Sequence, residues 1–390
     1  MNKNLLLYLK ENISRKKRKY SHLSKLTVII PSYCRQDFII RQSAYWHGTG
    51  VSVIIMDGSP KPIDDDMKKV INGLFDITYV HSASILVDRL KHASTLIKTP
   101  YSVLCGDDEF LLSSGINNSI DFLENNQDYV ACIGQSLHFY LSNYGSKCKY
   151  GTGYDTFKYE VKHDSIQCRL NASVRNYNAA TCYAITKSPV WCRSWGNLLK
   201  CSSGYINELE HAFTTYIWGN VASVDDVYWM RSNENLPAET IDAQRLPIET
   251  WWASDEFKTE RMNFFTKLAD ESVRAQGIDR ANAEDLVVKA FELLLQEQKY
   301  PSNSSFSQKC RQYYINTLKK YLPKNWIGHL IKLRNRLKPK AVNGNFGDLI
   351  DLKATRNPLP FLLNDELVND LFSMEKLIAD FYKVRRDHFE

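Results

Sequence analysis

The sequence predicts an α/β protein: a mostly parallel sheet flanked by helices, followed by a smaller all-α C-terminal region. Three observations predict it. Short, continuous runs of β-branched and apolar residues recur at 26–30, 51–56, 77–80 and 101–105. Such runs mark strands buried on both faces. Helix-compatible segments separate them, which is the alternation of a parallel sheet. Beyond about residue 255 the strand pattern stops and helical periodicity takes over.

Taken in order, residues 1–25 read as a short helix and a basic arm, Arg15-Lys16-Lys17-Arg18-Lys19. The strand at 26–30 is stopped by Pro31 and followed by Ser32-Tyr33-Cys34-Arg35. A helix over 36–46 leads to the strand at 51–56, which ends in Asp57-Gly58-Ser59. Helices over 63–73 and 84–98 flank the strand at 77–80, and Arg89 falls near the start of the second. The strand into Gly106 ends in three consecutive acids, Asp107-Asp108-Glu109. A helix over 113–125 and a strand over 129–134 follow. Residues 135–180, rich in Gly and Tyr, read as an irregular or hairpin insert. A strand is expected at 181–185, a helix from 187, a helix from Asn207 to Trp218 and a strand within 221–227. The remaining helices are expected over 255–276, 281–298, 306–322, 324–338 and 364–386. The domain division is therefore 1–25, a basic helix and arm; 26–255, the α/β domain; and 256–390, a helical region.

Composition narrows the class. The chain has 390 residues, 44% hydrophobic and 24% charged, which is a globular composition with room for a sizeable core. Nine cysteines without a CxxC pair predict reduced thiols in a cytoplasmic protein, and no apolar run reaches the length of a membrane span. The apolar run 5–9 is too short for a signal-peptide core, and its basic residues follow it. The net charge of +6 hides a partition: 26–297 is net acidic, whereas 298–347 holds eleven Lys and Arg and no acid.

The chemistry is expected at the strand ends. Ligands of open α/β sheets bind outside the carboxyl ends of strands, where Arg35, Asp57 and Asp107 to Glu109 all sit. Three adjacent carboxylates repel one another, and a hard cation such as Mg²⁺ or Mn²⁺, shared with a diphosphate, offsets that cost. Taken alone, the acids are explained equally well as an acidic turn in water. Glu208 and Glu210 have a sufficient structural reason in the dipole of the helix they open.

Several motifs carry a resemblance. Val28-Ile29-Ile30-Pro31-Ser32-Tyr33-Cys34-Arg35, Val53-Ile54-Ile55-Met56-Asp57-Gly58-Ser59, the strand from Thr99 into Cys105-Gly106-Asp107-Asp108-Glu109-Phe110, and Asn207-Glu208-Leu209-Glu210 with Gly219 occur in that order. Over about 26–235 the chain resembles the family-two-like nucleotide-sugar glycosyltransferases of the GT-A fold, in particular a bacterial subfamily with a C-x-D-D-[DE]-F metal motif. The resemblance implies a metal-dependent, inverting sugar transfer from a nucleoside diphosphate, UDP favoured, to a hydroxyl of a glycan or lipid-linked acceptor in surface polysaccharide synthesis. It implies Mn²⁺ or Mg²⁺ on Asp108 and Glu109. Pro31, Tyr33, Arg35, Asp57, Arg89 and Asp107 would bind the nucleotide sugar, and Glu208 would be the general base. The chain departs from the family pattern at three places: Gly106 stands for the first Asp of the D-x-D motif, Leu90 for an Asn, and Glu208 for an Asp.

The acid-free segment 299–340 carries Trp326 and a Leu stripe and would suit a peripheral dock on an anionic inner leaflet. The competing expectation is a helix packed on the catalytic domain with a solvated basic face. No nucleic-acid motif is present and the core is acidic, so no nucleic-acid partner is expected. Two other readings stand beside the transferase: a non-catalytic carbohydrate-binding or scaffold protein that kept the fold, and a nucleotidyltransferase. The second would need a Gly-rich basic phosphate loop where 31–35 stands.

Overall fold

The computed structural model describes residues 3–15, 17, 20–142, 145, 147–235, 246–299, 345–354, 361 and 363–386. In chain order its principal elements are α1 (Lys3–Ile13), β1 (Leu26–Ser32), α2 (Gln36–Trp46), β2 (Ser52–Asp57), α3 (Asp65–Asn72), β3 (Ile77–His81), α4 (Leu86–Leu96), β4 (Tyr101–Leu104), β5 (Phe110–Leu111), α5 (Ser113–Asn125) and β6 (Tyr129–Ser142). They continue with β7 (Lys147–Thr152), β8 (Glu160–Val161), α6 (Ile166–Arg175), β9 (Ile185–Lys187), α7 (Ser188–Arg193), α8 (Gly204–Trp218) and β10 (Asn220–Ser232). The last are α9 (Ile248–Ala253), α10 (Lys258–Gln276), α11 (Arg280–Lys299), β11 (Asn345–Gly347), α12 (Leu349–Ala354) and α13 (Asp365–Arg386).

One sheet runs in the order β11-β7-β6-β9-β4-β1-β2-β3, and β10 joins it by pairing with β5, β6 and β8. β1 lies parallel to both β2 and β4, and β2 is parallel to β3. Short β9 is antiparallel to both β4 and β6. β6, and β10 parallel to it, therefore point the same way as the parallel half. The mainly parallel α/β sheet with a helical C-terminal region is the architecture the sequence predicts.

Successive side chains on a strand face opposite ways, and β1 shows where each goes. Val28 and Ile30 join a core with Leu5, Tyr8 and Leu9 of α1, Phe38 of α2 and Phe381 of α13. Ile29 joins a second core with Leu90 and Ala93 of α4 and Trp191 of α7. Helices cover both faces, so the strand reads as a continuous apolar run and not as an alternation. Leu5, Tyr8 and Leu9 are spaced as one helical stripe. Through them the N-terminal helix enters the same core that holds Phe264 of α10 and Leu371 of α13, so this core is continuous across residues 25 and 255.

Within 135–180 the hairpin is present, since β6 extends to Ser142 and pairs antiparallel with β7; α6, a ten-residue helix that follows it, was not expected. The strand expected at 181–185 is a 3₁₀ turn over Ala179–Tyr183, started by Asn178, whose Oδ1 accepts from the Ala180 amide. The paired residues begin later, at Ile185 and Thr186. Apart from Lys299, the basic segment 299–340 lies outside the described residues, as do the helices expected over 306–322 and 324–338. No helix among the described residues is long and apolar enough to cross a membrane.

Register places the site. β1 and β2 run level to Ser32 and Asp57, whereas β4 pairs with β1 only as far as Ile29 opposite Leu104. The chain after β4 therefore has room to turn across the carboxyl end of the sheet, beside Ser32.

Candidate functional site

Beside the carboxyl ends of β1 and β4 lies a cavity of about 710 Å³. Pro31 and Arg35 line it from the end of β1, Asp107, Asp108 and Glu109 from the turn after β4, and Glu208 from the second turn of α8. Six of the nine residues singled out from sequence thus share one wall system. Tyr33, Asp57 and Arg89 are not among its lining residues. Because α8 begins at Gly204, neither Glu208 nor Glu210 sits in its first turn, and the helix dipole does not account for them as the sequence suggested.

The acid turn is braced from several sides. Asp107 accepts from Ser32 Oγ at 2.7 Å and from Arg35 Nη1 at 3.1 Å. The same nitrogen reaches Asp108 Oδ2 at 3.2 Å, and Asn235 Nδ2 donates to that oxygen at 2.9 Å. Glu109 accepts from the Trp229 indole at 2.9 Å. Burial pushes the Asp107 carboxyl up to about 7, with the Asp108 charge adding to it and Arg35 and Ser32 opposing. Burial and the Asp108 charge push Glu109 up to about 8, against the Trp229 hydrogen bond. Desolvation and like charge both favour the neutral acid.

Gly106 has a local explanation. A Cβ built there would meet Glu109 Cγ at 3.0 Å and Oε2 at 3.1 Å. The Glu109 side chain folds back beside the space that a residue at 106 would fill.

The end of β2 is built differently. Asp57 is fully buried. Its Oδ1 accepts from the Ser59 amide at 2.9 Å, and its Oδ2 accepts from Gln36 Nε2 at 2.9 Å and Tyr79 OH at 2.8 Å. Arg89 Nη1 donates to the carbonyls of Ser32 and Met56 at 2.7 and 2.8 Å, tying β1 to β2. Burial lowers its pKa. Its guanidinium packs on Gly58, where a Cβ would lie 2.4 Å from Cζ. Tyr33 is exposed. Asp57 and Arg89 thus brace the ends of β1 and β2, and neither is among the residues that line the cavity.

The wall beside Glu109 is aromatic. Trp229 lies between Tyr154 and Tyr183, with ring centroids at 5.5 and 4.3 Å and near-parallel planes. Tyr154, Tyr183 and Tyr205 line the cavity with Glu208, Glu249 and Gln298. Burial, with charges that include Glu208, raises the pKa of Tyr183 and Tyr205. The Arg231 guanidinium stands 5.0 Å over the Tyr154 ring and donates to its hydroxyl at 2.9 Å. Trp229, Arg231 and Asn235 were not singled out from sequence. Their signal is position alone: they end the strand and loop that close the sheet next to β6.

Among the described residues no group of three or more His, Cys, Asp or Glu converges as a ready-made metal site. Mg²⁺ and Mn²⁺ beside a nucleotide need less, because one or two carboxylates suffice when phosphates complete the shell. The donor set fits that type. Five acids and two arginines line the cavity, and a cation held there would fall to Asp108 with Glu109.

No protein-family model and no curated protein matches the chain. Solved structures of S. aureus TarS are similar in chain course. The form spanning residues 1–349 is 10% identical at a TM-score of 0.47, over 75% of this chain and 79% of that one. Its complex with UDP-GlcNAc is 11% identical at 0.48, over 93% and 91%. Its complex with UDP is 12% identical at 0.46, over 75% and 79%.

Proposed function

We propose that this chain is a metal-dependent, inverting glycosyltransferase that moves a sugar from a nucleoside diphosphate, UDP-type, to a hydroxyl of a glycan or lipid-linked acceptor. One observation carries the reading: the acid turn after β4 and Glu208 of α8 face a single cavity, whose volume of about 710 Å³ suits a nucleotide sugar. Asp108 and Glu109 would hold Mn²⁺ or Mg²⁺, which when bound offsets charge on the departing diphosphate. Arg35, already on both Asp107 and Asp108, offers its guanidinium to the same phosphates. The Glu208 carboxylate takes the proton of the acceptor hydroxyl as that oxygen bonds to the anomeric carbon. The bond from that carbon to the diphosphate breaks with its electron pair leaving on the diphosphate, and attack from the opposite side inverts the centre. Tyr154, Tyr183 and Tyr205 offer ring faces and hydroxyls to the sugars. In this reading the protein works at the cytoplasmic face of a membrane in surface polysaccharide synthesis, with 299–340 docking on anionic lipid.

The test is release of UDP from a panel of UDP-sugars with Mn²⁺, with and without glycan acceptors. The reading expects one donor to turn over in the wild type and to bind without turnover in Glu208→Gln. Binding without turnover in the wild type itself would favour a carbohydrate-binding scaffold. No binding of any nucleotide would overturn the donor site.

A further inference from the structure

Two neighbouring side chains of α2 hold the acid turn by its backbone. Gln42 Nε2 donates to the carbonyls of Asp107 at 3.0 Å and Glu109 at 2.6 Å, and Arg41 Nη2 donates to the carbonyl of Asp108 at 3.0 Å. Three successive carbonyls therefore end on residues 41 and 42. Arg41 is completely buried, lies 4.5 Å from the Phe38 ring centroid and 5.1 Å from that of Phe381, and is paired with Glu234 at 2.8 and 2.9 Å. A buried guanidinium needs such a partner, since removal of either charge strands the other. Glu234 in turn accepts from the Tyr382 hydroxyl of α13 at 2.6 Å. Its neighbour Asn235 is the residue that donates to the Asp108 carboxylate. The pair 234–235 thus reaches Asp108 twice, through Arg41 on its carbonyl and directly on its carboxylate.

We propose that Tyr382, Glu234 and Arg41 form a positioning relay that makes the C-terminal helix α13 part of the site. Its seating sets the aim of the Asp108 carboxylate, and its consequence for donor binding rests on the function proposed above. None of the three lines the cavity; they act through Asp108 and Asn235, which do. The relay differs from two other clasps of α13. Tyr150 OH donates to Glu375 at 2.7 Å and Arg15 pairs with Asp380 at 2.9 Å, and neither partner contacts the acid turn.

The test compares Tyr382→Phe with Tyr150→Phe in the full chain, each variant losing one hydroxyl that bonds a carboxylate across the α13 interface. Hydrogen exchange is read on a peptide spanning residues 104–112, which includes the Glu109 amide bonded to the Gly106 carbonyl. Loss of a hydrogen bond to a charged group is expected to speed exchange in this turn about tenfold in Tyr382→Phe and to leave it unchanged in Tyr150→Phe. Glu234→Gln should act in the same direction as Tyr382→Phe. In parallel, UDP binding with Mn²⁺ should weaken about threefold or more in Tyr382→Phe only. Equal exchange in both variants, or none above wild type in Tyr382→Phe, overturns the relay. Nucleotide that binds neither wild type nor variant overturns the donor reading, and the exchange result still decides the relay.

Discussion

Two strand ends in this molecule carry acids, and they are used in opposite ways. At the end of β2, Asp57 is fully buried and takes three hydrogen bonds from Ser59, Gln36 and Tyr79. At the end of β4, Asp107, Asp108 and Glu109 lie on the cavity, and burial drives two of them toward their neutral forms. The first end is closed by neutral donors from its own protein. The second concentrates charge that its own protein answers only in part. In the function proposed above, the acids that meet the ligand are the ones whose charge the fold answers only in part.

Mutation can break this contrast. The largest effect is expected away from both ends, at the base: Glu208→Gln should lower transfer about 1,000-fold while donor affinity holds, because only proton removal is lost. Steady-state rates beside UDP titration check it, and matching losses in both would move Glu208 to the donor side. Asp57→Ala should cost about 3–5 kcal/mol of stability, since it strands the buried Ser59 amide and Tyr79 hydroxyl, and urea unfolding measures it. A stable variant with weakened donor binding would reverse the roles of the two ends. Asp108→Asn should weaken binding of UDP with Mn²⁺ about 100-fold and leave the melting temperature near wild type.

The smallest effect sharpens the same contrast on α8, where Glu208 faces the cavity and His211 is sealed against Trp195 with ring centroids at 4.3 Å. Burial lowers the His211 pKa from 6.5 to about 3. The unfolded chain then binds its proton more readily, so the stability from His211 is present above about 6.5 and is lost as pH falls toward about 3. Urea midpoints should fall with pH across this window, by at most about 1.4 kcal/mol per pH unit from this residue. His211→Leu should flatten that slope.

The same contrast explains what could be read from sequence. β1, β2 and β4 were legible because strands buried on both faces leave continuous runs such as Leu26 to Ile30. α6 was hidden because two of its buried positions are polar: Arg169 and Ser173, the former donating to the carbonyls of Tyr216, Ile217, His163 and Asp164. The acids after β4 were legible as a charge cluster, and Glu208 by its place in a motif. That Asp57 and Arg89 do not line the cavity follows from their partners, which pattern does not encode: Asp57 accepts from Ser59, Gln36 and Tyr79, and Arg89 donates to the carbonyls of Ser32 and Met56. Arg41 and Gln42 left no trace either, since their partners are carbonyls and every residue has one.

The measurement that bears most directly on the account is a thermal-shift titration of wild type and Asp108→Asn with UDP, in the presence and absence of Mn²⁺. A ligand bound only by the folded state raises the melting temperature by mass action. The account predicts a UDP shift in wild type that requires Mn²⁺ and disappears in Asp108→Asn. A shift that is the same without Mn²⁺, or that survives in Asp108→Asn, would contradict it.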